Sequence, residues 1–370
     1  MLQLSKYQGL GNDFLIVEGR AGQLPSLITE PDPDWVRLIC DRRFGVGADG
    51  LILALPSDGE ADLRMRILNA DGSEAEMCGN GIRCLARFLA DSDGNPPGTI
   101  WSIETLAGVI RPQLQSDGQL CVDMGPPFLQ PSDIPTTLEM GPRGCPQGVA
   151  VVGDDELEIA AVGMGNPHVI VPVQDLQSIP FDRWGYELEQ HPLFPAKTNV
   201  HFLQIHSSRS LEIRVWERGA GPTLACGTGA CATLVAASLL GLCDDSAEVM
   251  LPGGPLQISW PDRQGPVLMT GPAKAVFDCV LSPDLMPSNG AIDSAVSVGT
   301  VQAASQASED LDDSVRDSAD TTDEPDDLEQ DEAQQKVMDF LNNTSLDSML
   351  NLASESLEQR TRARFERDIR

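Results

Sequence analysis

Short apolar runs bounded by turn residues recur along the first 281 residues and predict strands at 51–55, 63–68, 149–152, 169–173 and 211–216. Asp71-Gly72, Asp117-Gly118 and Pro252-Gly253-Gly254 punctuate them as turns. In two longer stretches, 79–90 and 227–240, the apolar spacing follows a helical period instead. Each of these predicted helices starts directly after a Cys-Gly turn. The longest apolar stretch, 230–243, is too short to span a bilayer and reads as a buried helix.

The two predicted helices belong to an internal repeat. An offset of 148 without gaps places Arg66 on Arg214, Cys78 on Cys226, Gly79 on Gly227 and Gly81 on Gly229. Upstream, Gly9-Leu10-Gly11-Asn12 matches Gly163-Met164-Gly165-Asn166 at an offset of 154, and each is followed by a β run. Two matches in the same order predict a duplicated domain. The turn Gly125-Pro126-Pro127 is the expected boundary, giving units 1–126 and 127–269.

Beyond residue 281 the pattern changes. Residues 282–335 are rich in Ser, Asp, Glu, Ala and Gln, and such a segment buries too little apolar surface to offset its ordering entropy, so disorder is expected. Over 336–370, Val337, Phe340, Leu341, Leu346, Met349, Leu350 and Leu357 have a spacing that suits one or two short amphipathic helices.

A length of 370 residues suits two domains and an appendage. The net charge of −31 excludes nucleic acid as an expected partner, because phosphate binding needs clustered Lys and Arg. Residues 282–370 hold 21 acidic and 7 basic side chains, so −14 of that charge sits in the tail. No basic region followed by an apolar run opens the chain, so neither a leader nor membrane attachment is expected. Nine cysteines, an odd number, then point to reduced thiols and a cytoplasmic location. No Cys-x-x-Cys pair occurs, and no metal site is expected.

Two Cys-Gly-x-Gly turns that open helices put two thiols in equivalent places. The first-turn amides of Gly79-Asn80 and Gly227-Thr228 are free to hold a carboxylate. The helix dipole is expected to favour the thiolate forms of Cys78 and Cys226. Folded as a pseudo-twofold pair, the cysteines would flank one carbon from opposite sides: one thiolate removes a proton and the opposing thiol delivers one to the other face. Amides aimed at the carboxylate stabilise the charge that develops, and no cofactor is expected. Neither turn has a Gly-Lys-Ser/Thr ending, and Gly9-x-Gly11 lacks the third glycine of a dinucleotide fingerprint.

Six words in order, Gly9-Leu10-Gly11-Asn12-Asp13-Phe14, Asn69-Ala70-Asp71-Gly72-Ser73, Met77-Cys78-Gly79-Asn80-Gly81, Gly165-Asn166-Pro167-His168, Glu217-Arg218-Gly219-Ala220-Gly221 and Ala225-Cys226-Gly227-Thr228-Gly229, resemble the diaminopimelate epimerase family over about residues 3–281. The resemblance implies an α+β fold of two pseudo-symmetric domains, each a curved, barrel-like mixed sheet around a central helix, with 270–281 returning to the first. It implies interconversion of LL- and meso-diaminopimelate in lysine biosynthesis, with Cys78 as proton donor and Cys226 as acceptor in the LL-to-meso direction. It makes Asn12, Asn69, Asn166, Asn199, Glu217 and Arg218 substrate contacts, and His168 with Glu217 the pair that tunes the thiols. It also implies a homodimer.

Two positions depart from the family pattern: Gly50 stands where a substrate-touching glutamine is expected, and Phe277 near a dimer-associated tyrosine. His191, His201 and His206 carry no expected role. Two other readings compete: a proline or hydroxyproline racemase of the same two-cysteine fold, and a non-catalytic regulatory protein acting through its tail. The set Asn69, Asn166, Asn199 and Arg218 disfavours the first, since a cyclic substrate would leave it unpaired.

Overall fold

The duplication is visible in the hydrogen-bonding order of the strands. A computed structural model describes residues 2–22 and 24–287. In the first half, β1 (Gln3–Gly9), β2 (Asn12–Glu18), β3 (Gly50–Leu55), β4 (Leu63–Asn69), β5 (Glu74–Ala75), β6 (Ile103–Thr105) and β7 (Gly108–Ile110) share one sheet. Short helix α1 (Ser26–Thr29) and helix α2 (Pro33–Cys40) connect β2 to β3, and α3 (Gly79–Asp93) connects β5 to β6. Next come β8 (Gln113–Leu114), β9 (Leu120–Asp123), β10 (Gln147–Val152), β11 (Asp155–Gly163), β12 (Pro167–Pro172), α4 (Phe181–Glu189), β13 (Asn199–Ser207), β14 (Ser210–Glu217), β15 (Gly221–Thr223), α5 (Gly227–Leu240), β16 (Ser246–Leu251), β17 (Gly254–Ser259), β18 (Leu268–Gly271) and β19 (Lys274–Val280).

Pairing in β1 to β7 is antiparallel, parallel, antiparallel, with β5 on β4, and then parallel across α3 to β6. β11 to β17 repeat that series, with α5 in the place of α3. Matching hairpin turns open each series: Gly11 and Gly165 hold φ of 86° and 83°, a left-handed conformation open to glycine.

The first and second sheets do not divide at the expected turn. β8 and β9 pair into the second sheet, with Leu120–Asp123 antiparallel to β18. The change of sheet therefore falls between Ile110 and Gln113, ahead of residue 126. Leu114, Leu120 and Val122 are buried there, which fixes those strands in the second layer. In exchange, β19 pairs antiparallel with β1, so the return to the first sheet begins at Lys274, while 268–271 stays in the second. The ordered chain also runs beyond 281. Trp35 Nε1 donates to the Leu285 carbonyl at 2.7 Å, and Leu285 and Met286 pack on the cluster beneath α2. The rest of the expected linker to 335, and the expected helices over 336–370, lie outside the described residues.

Each half wraps its sheet on one central helix. Helix α3 starts at Cys78, in extended conformation, whose Sγ accepts from the Gly81 amide at 3.4 Å. It ends at Asp93, three residues beyond the predicted end, and is capped by Gly94 at φ 66°. Helix α5 is apolar on nearly all sides, and eleven of its residues are buried, as its position against the curved second sheet requires. One apolar cluster, including Ile82, Leu85, Leu234 and Val235, runs through both halves. Two smaller clusters lie under α2 and α4, on the outer faces of the sheets.

Close packing at the start of α5 leaves no room for a side chain at Gly229: a Cβ there would stand 2.1 Å from Cε1 of His201 on β13. At the open end of the first sheet, Asp13 on β2 joins Lys6 at 2.8 Å and Arg42 at 2.6 Å. Burial pushes the Asp13 carboxyl up, but hydrogen bonds from Arg42 and Lys6 outweigh it and bring the value down to about 2. These contacts tie the β1–β2 hairpin to the loop that carries Asp49.

Two stability outcomes follow from this packing. Gly-to-Ala in a helix ordinarily gains about 1 kcal/mol, yet Gly229→Ala is expected to lose about 1–3 kcal/mol in urea unfolding. Adding His201→Ala should give a double variant more stable than the two single losses predict; strict additivity would show that the His201 ring is not the obstruction. For Asp13, the depressed carboxyl contributes stability at neutral pH that is lost as pH falls from about 4 toward 2. Asp13→Asn is expected to cost about 1–2 kcal/mol at pH 7, after allowance for solvent screening, with the deficit shrinking through that window. A deficit independent of pH in thermal melts would assign the loss to packing.

Candidate active site

A cleft of about 970 Å³ opens where the N-termini of α3 and α5 converge. Both thiols line it, Cys78 from the first half and Cys226 from the second. Each is the N-cap of its helix, so the amides that follow point toward the cleft. Met269 packs under both helix starts: a Cβ on Gly79 would be 3.1 Å from its Cε, and one on Gly227 would be 3.0 Å from its Sδ. A side chain at either glycine would press on Met269.

Side chains from the first half are cross-braced. Asn12 Nδ2 donates to Asp49 at 2.7 Å, which leaves its Oδ1 facing Asn80 Nδ2 at 3.2 Å and the Cys78 thiol at 4.0 Å. Asn80 Nδ2 also reaches the Ala225 carbonyl at 3.4 Å, bridging the two halves beside the thiols. Asn69 lines the cleft and donates to Ser73 Oγ at 3.0 Å.

In the second half, Asn166, Glu217, Arg218 and Thr228 line the cleft. Thr228 Oγ1 lies 3.6 Å from Cys226 Sγ, and Thr223 donates to Glu217 at 2.6 Å. Arg218 donates to the Ala196 carbonyl at 3.0 Å and has no carboxylate partner among the described residues. Asn199 stands behind the wall: its Nδ2 donates to the Pro167 carbonyl and its Oδ1 accepts from the Arg218 amide. In this conformation it holds the backbone of Arg218 in place and does not face the cleft. His168, fully buried, also lies behind the wall, hydrogen-bonded to Asn166 at 2.7 Å and to His201 at 2.8 Å. No direct bond joins His168 to Glu217 among the described residues. A ring nitrogen of His168, one of His201 and Cys226 Sγ all lie within 4.8 Å of one another.

The electrostatics depart from the expectation of a depressed thiol. Burial pushes both thiols up. Cys226 stands well above its ordinary value, with Glu217 adding to the shift and the Gly229 amide opposing it. At Cys78 burial also dominates, while the Gly81 and Asn80 amides and Arg83 pull the other way. Desolvation in the unliganded cleft thus exceeds what the helix starts return. Burial raises the Glu217 carboxyl, opposed by Thr223 and Cys226. Burial first, then His201 and Arg218, keep His168 far below its usual range, so its imidazole is neutral. Burial alone lowers His201 to about 3.

Several supporting residues carried no signal in the sequence. Asp49 and Arg42 line the cleft beside Asn12 and brace it. Glu189, in the last turn of α4, accepts from Trp216 Nε1 at 2.9 Å and from the Gly219 amide at 3.1 Å, fixing the turn that presents Glu217 and Arg218. Single carboxylates in charged stretches look the same whether solvated or buttressing. Gly50 faces the Leu68 carbonyl, 2.6 Å from where a Cβ would be, so that position offers backbone only. All nine cysteines are unpaired.

Known proteins align with this architecture. A family model described as diaminopimelate epimerase matches residues 4–129 and 160–276. A Prochlorococcus marinus (strain MIT 9313) protein named diaminopimelate epimerase is 68% identical over 292 residues, covering 79% of this chain and 96% of its own. One of the same name from Acaryochloris marina (strain MBIC 11017) is 52% identical over 278 residues, covering 75% of this chain and 97% of its own. Among solved structures, a hydroxyproline epimerase from Agrobacterium vitis superposes with a TM-score of 0.55 at 19% identity, covering 76% of this chain and 93% of that one, which shows the shared fold. With the family model spanning both halves and both Cys-Gly turns, the chain belongs to the diaminopimelate epimerase family.

Proposed function

We infer that this chain is an isomerase that interconverts LL- and meso-diaminopimelate in lysine biosynthesis, with Cys78 and Cys226 as its two bases. The observation that carries this reading is the placement of two N-cap thiols from duplicated helices in one cleft. The family match and the 68% identical relative support the substrate.

The α-carboxylate sits on the amides of Gly79-Asn80 and Gly227-Thr228. In the LL-to-meso direction, the Cys226 thiolate takes the α-proton, so a C–H bond breaks and an S–H bond forms. The Cys78 thiol then gives its proton to the opposite face and is left as thiolate. The reverse reaction exchanges these roles. The substrate ammonium brings positive charge into a space of low dielectric, which favours one thiolate against the burial cost. Charge gained by the carboxylate as the proton leaves strengthens the amide bonds in the transition state. At the distal end, Asn69, Asn166 and Arg218 hold the second amino-acid group, and Asn199 fixes Arg218 from behind. Glu217 and His168 tune Cys226 separately.

A homodimer formed through the first sheet is part of this proposal. Its edge strand β19 exposes Val276, Phe277 and Val280, and Phe277 supplies a ring where the family resemblance expects a tyrosine. The nine unpaired thiols fit a reducing, cytoplasmic compartment, and among the described residues no helix is long and apolar enough to cross a membrane.

The test follows deuterium entry at one α-carbon of LL-diaminopimelate in D₂O together with meso product. Wild type is expected to show both, and Cys78→Ala and Cys226→Ala each to lose inversion. No exchange by reduced, folded wild type would reject the substrate and turn attention to cyclic imino acids. Arg218→Lys keeps the charge but loses the bidentate fork, and kcat/KM is expected to fall roughly 10- to 100-fold. An unchanged kcat/KM would remove Arg218 from the distal site.

A further inference from the structure

Arg83, in the second turn of α3, has none of its surface exposed. Its side-chain bonds all go to neutral acceptors. Nη2 donates to Asn80 Oδ1 at 2.8 Å, Nη1 to the Gly79 carbonyl at 3.0 Å and to Met269 Sδ at 3.4 Å, and Nε to the Pro272 carbonyl at 3.4 Å. No carboxylate pairs with it among the described residues. Burying a guanidinium without a counter-ion is costly, and arginine does not escape the cost by losing its proton. The ionisable groups that feel this charge are thiols: Cys84, Cys78 and Cys231.

The repeat sharpens the contrast. The offset of 148 places Cys231 opposite Arg83, and Asn69 opposite Glu217. The cation near Cys78 thus has no counterpart near Cys226, and the carboxylate near Cys226 has none near Cys78. Glu217 acts on both thiols, foremost after burial at Cys226 and least at Cys78, so the cation is what sets the two apart.

We propose that Arg83 is a positioning residue that keeps the single negative charge of the thiol pair on Cys78 in the unliganded protein, leaving Cys226 as the thiol. The Cys78 thiolate is then the missing counter-ion of the guanidinium. By taking Asn80 Oδ1, Arg83 also turns Asn80 Nδ2 toward Asn12 Oδ1 and the Ala225 carbonyl, which pins the wall beside Cys78. The resting form is consequently the one that accepts a proton at Cys78. This rests on the reading of the two cysteines as paired bases. Charged and titratable groups near Cys78 are Arg83 and Cys84 from its own helix, Glu217 from β14 and Cys226 as the other member of the pair, and Glu76 lines the same cleft.

The experiment alkylates the full reduced chain with iodoacetamide across a range of pH without substrate, and maps modification rates at Cys78 and Cys226 by peptide mass. Exposure sets the absolute rates, and thiolate formation sets the pH midpoints. In wild type the Cys78 midpoint is expected at least about one pH unit below that of Cys226. Arg83→Gln should raise the Cys78 midpoint by about a unit and leave the Cys226 midpoint in place, while Arg83→Lys keeps the wild-type order. Equal or inverted midpoints in wild type would overturn the proposal, and that arm needs no variant to fold. So would an unmoved Cys78 midpoint in folded Arg83→Gln, or loss of the order in Arg83→Lys. Because no substrate is present, these outcomes stay separate from failure of the epimerase reading, which shows as absent α-deuterium exchange.

Discussion

The structure depends on bringing two helix N-termini together at one point. Free first-turn amides and aligned peptide dipoles make each start electropositive, so two starts facing each other repel until something negative lies between them. Here they are held by shape. Met269 fills the space beneath Gly79 and Gly227, Asn80 crosses to the Ala225 carbonyl, and both helices are sealed inside sheets. What remains is a cleft built around a concentrated positive potential, ready for a carboxylate. The glycines that open each helix suit that constraint, since a methyl group at either would press on Met269.

Preorganisation of this kind has a cost that falls on the thiols. Dry walls make hydrogen bonds and charges act more strongly, but they also disfavour any lone charge. Burial raises Cys78 and Cys226 in the unliganded cleft. The same burial keeps His168 neutral. The burial cost is met in part from within the wall, since the Gly81 and Asn80 amides and Arg83 oppose it at Cys78.

Much of this arrangement was legible in the sequence, for identifiable reasons. Helices α3 and α5 were readable because their Cys-Gly starts and apolar period are local properties, and the extra turn of α3 escaped because Asp91, Ser92 and Asp93 are polar while Gly94, a residue later, is what stops the helix. The duplication was readable from MCGNG and ACGTG, and the strand pairing repeats it. The sheet boundary was misplaced because a proline turn marks a change of direction and carries no information about which sheet the flanking strands join; only the pairing of β9 with β18 decides that. In the site, Cys78, Cys226, Asn12, Asn69, Asn166 and Arg218 lie on or around the cleft. Asn199 and His168 turned out to stand behind it, and Asp49, Glu189 and His201 support it unseen, since long-range hydrogen bonds leave no periodic trace in the chain.

The exchange of strands between halves bears on how the cleft can work. β9 completes the second sheet at β18, and β19 completes the first at β1, so two chain connections cross between the layers on which the thiols are mounted. Arg83 lies at that crossing, bonded to the Pro272 carbonyl between β18 and β19 as well as to Asn80. Any rocking of one half against the other is therefore felt by the same guanidinium that faces Cys78. Cys78 and Arg83 share α3, so the guanidinium keeps its place beside the thiol while its bonds reach the crossover between the sheets. A duplicated protein with strictly separate halves would lack that link between the layers, although its two thiols would still differ through Arg83 and Glu217.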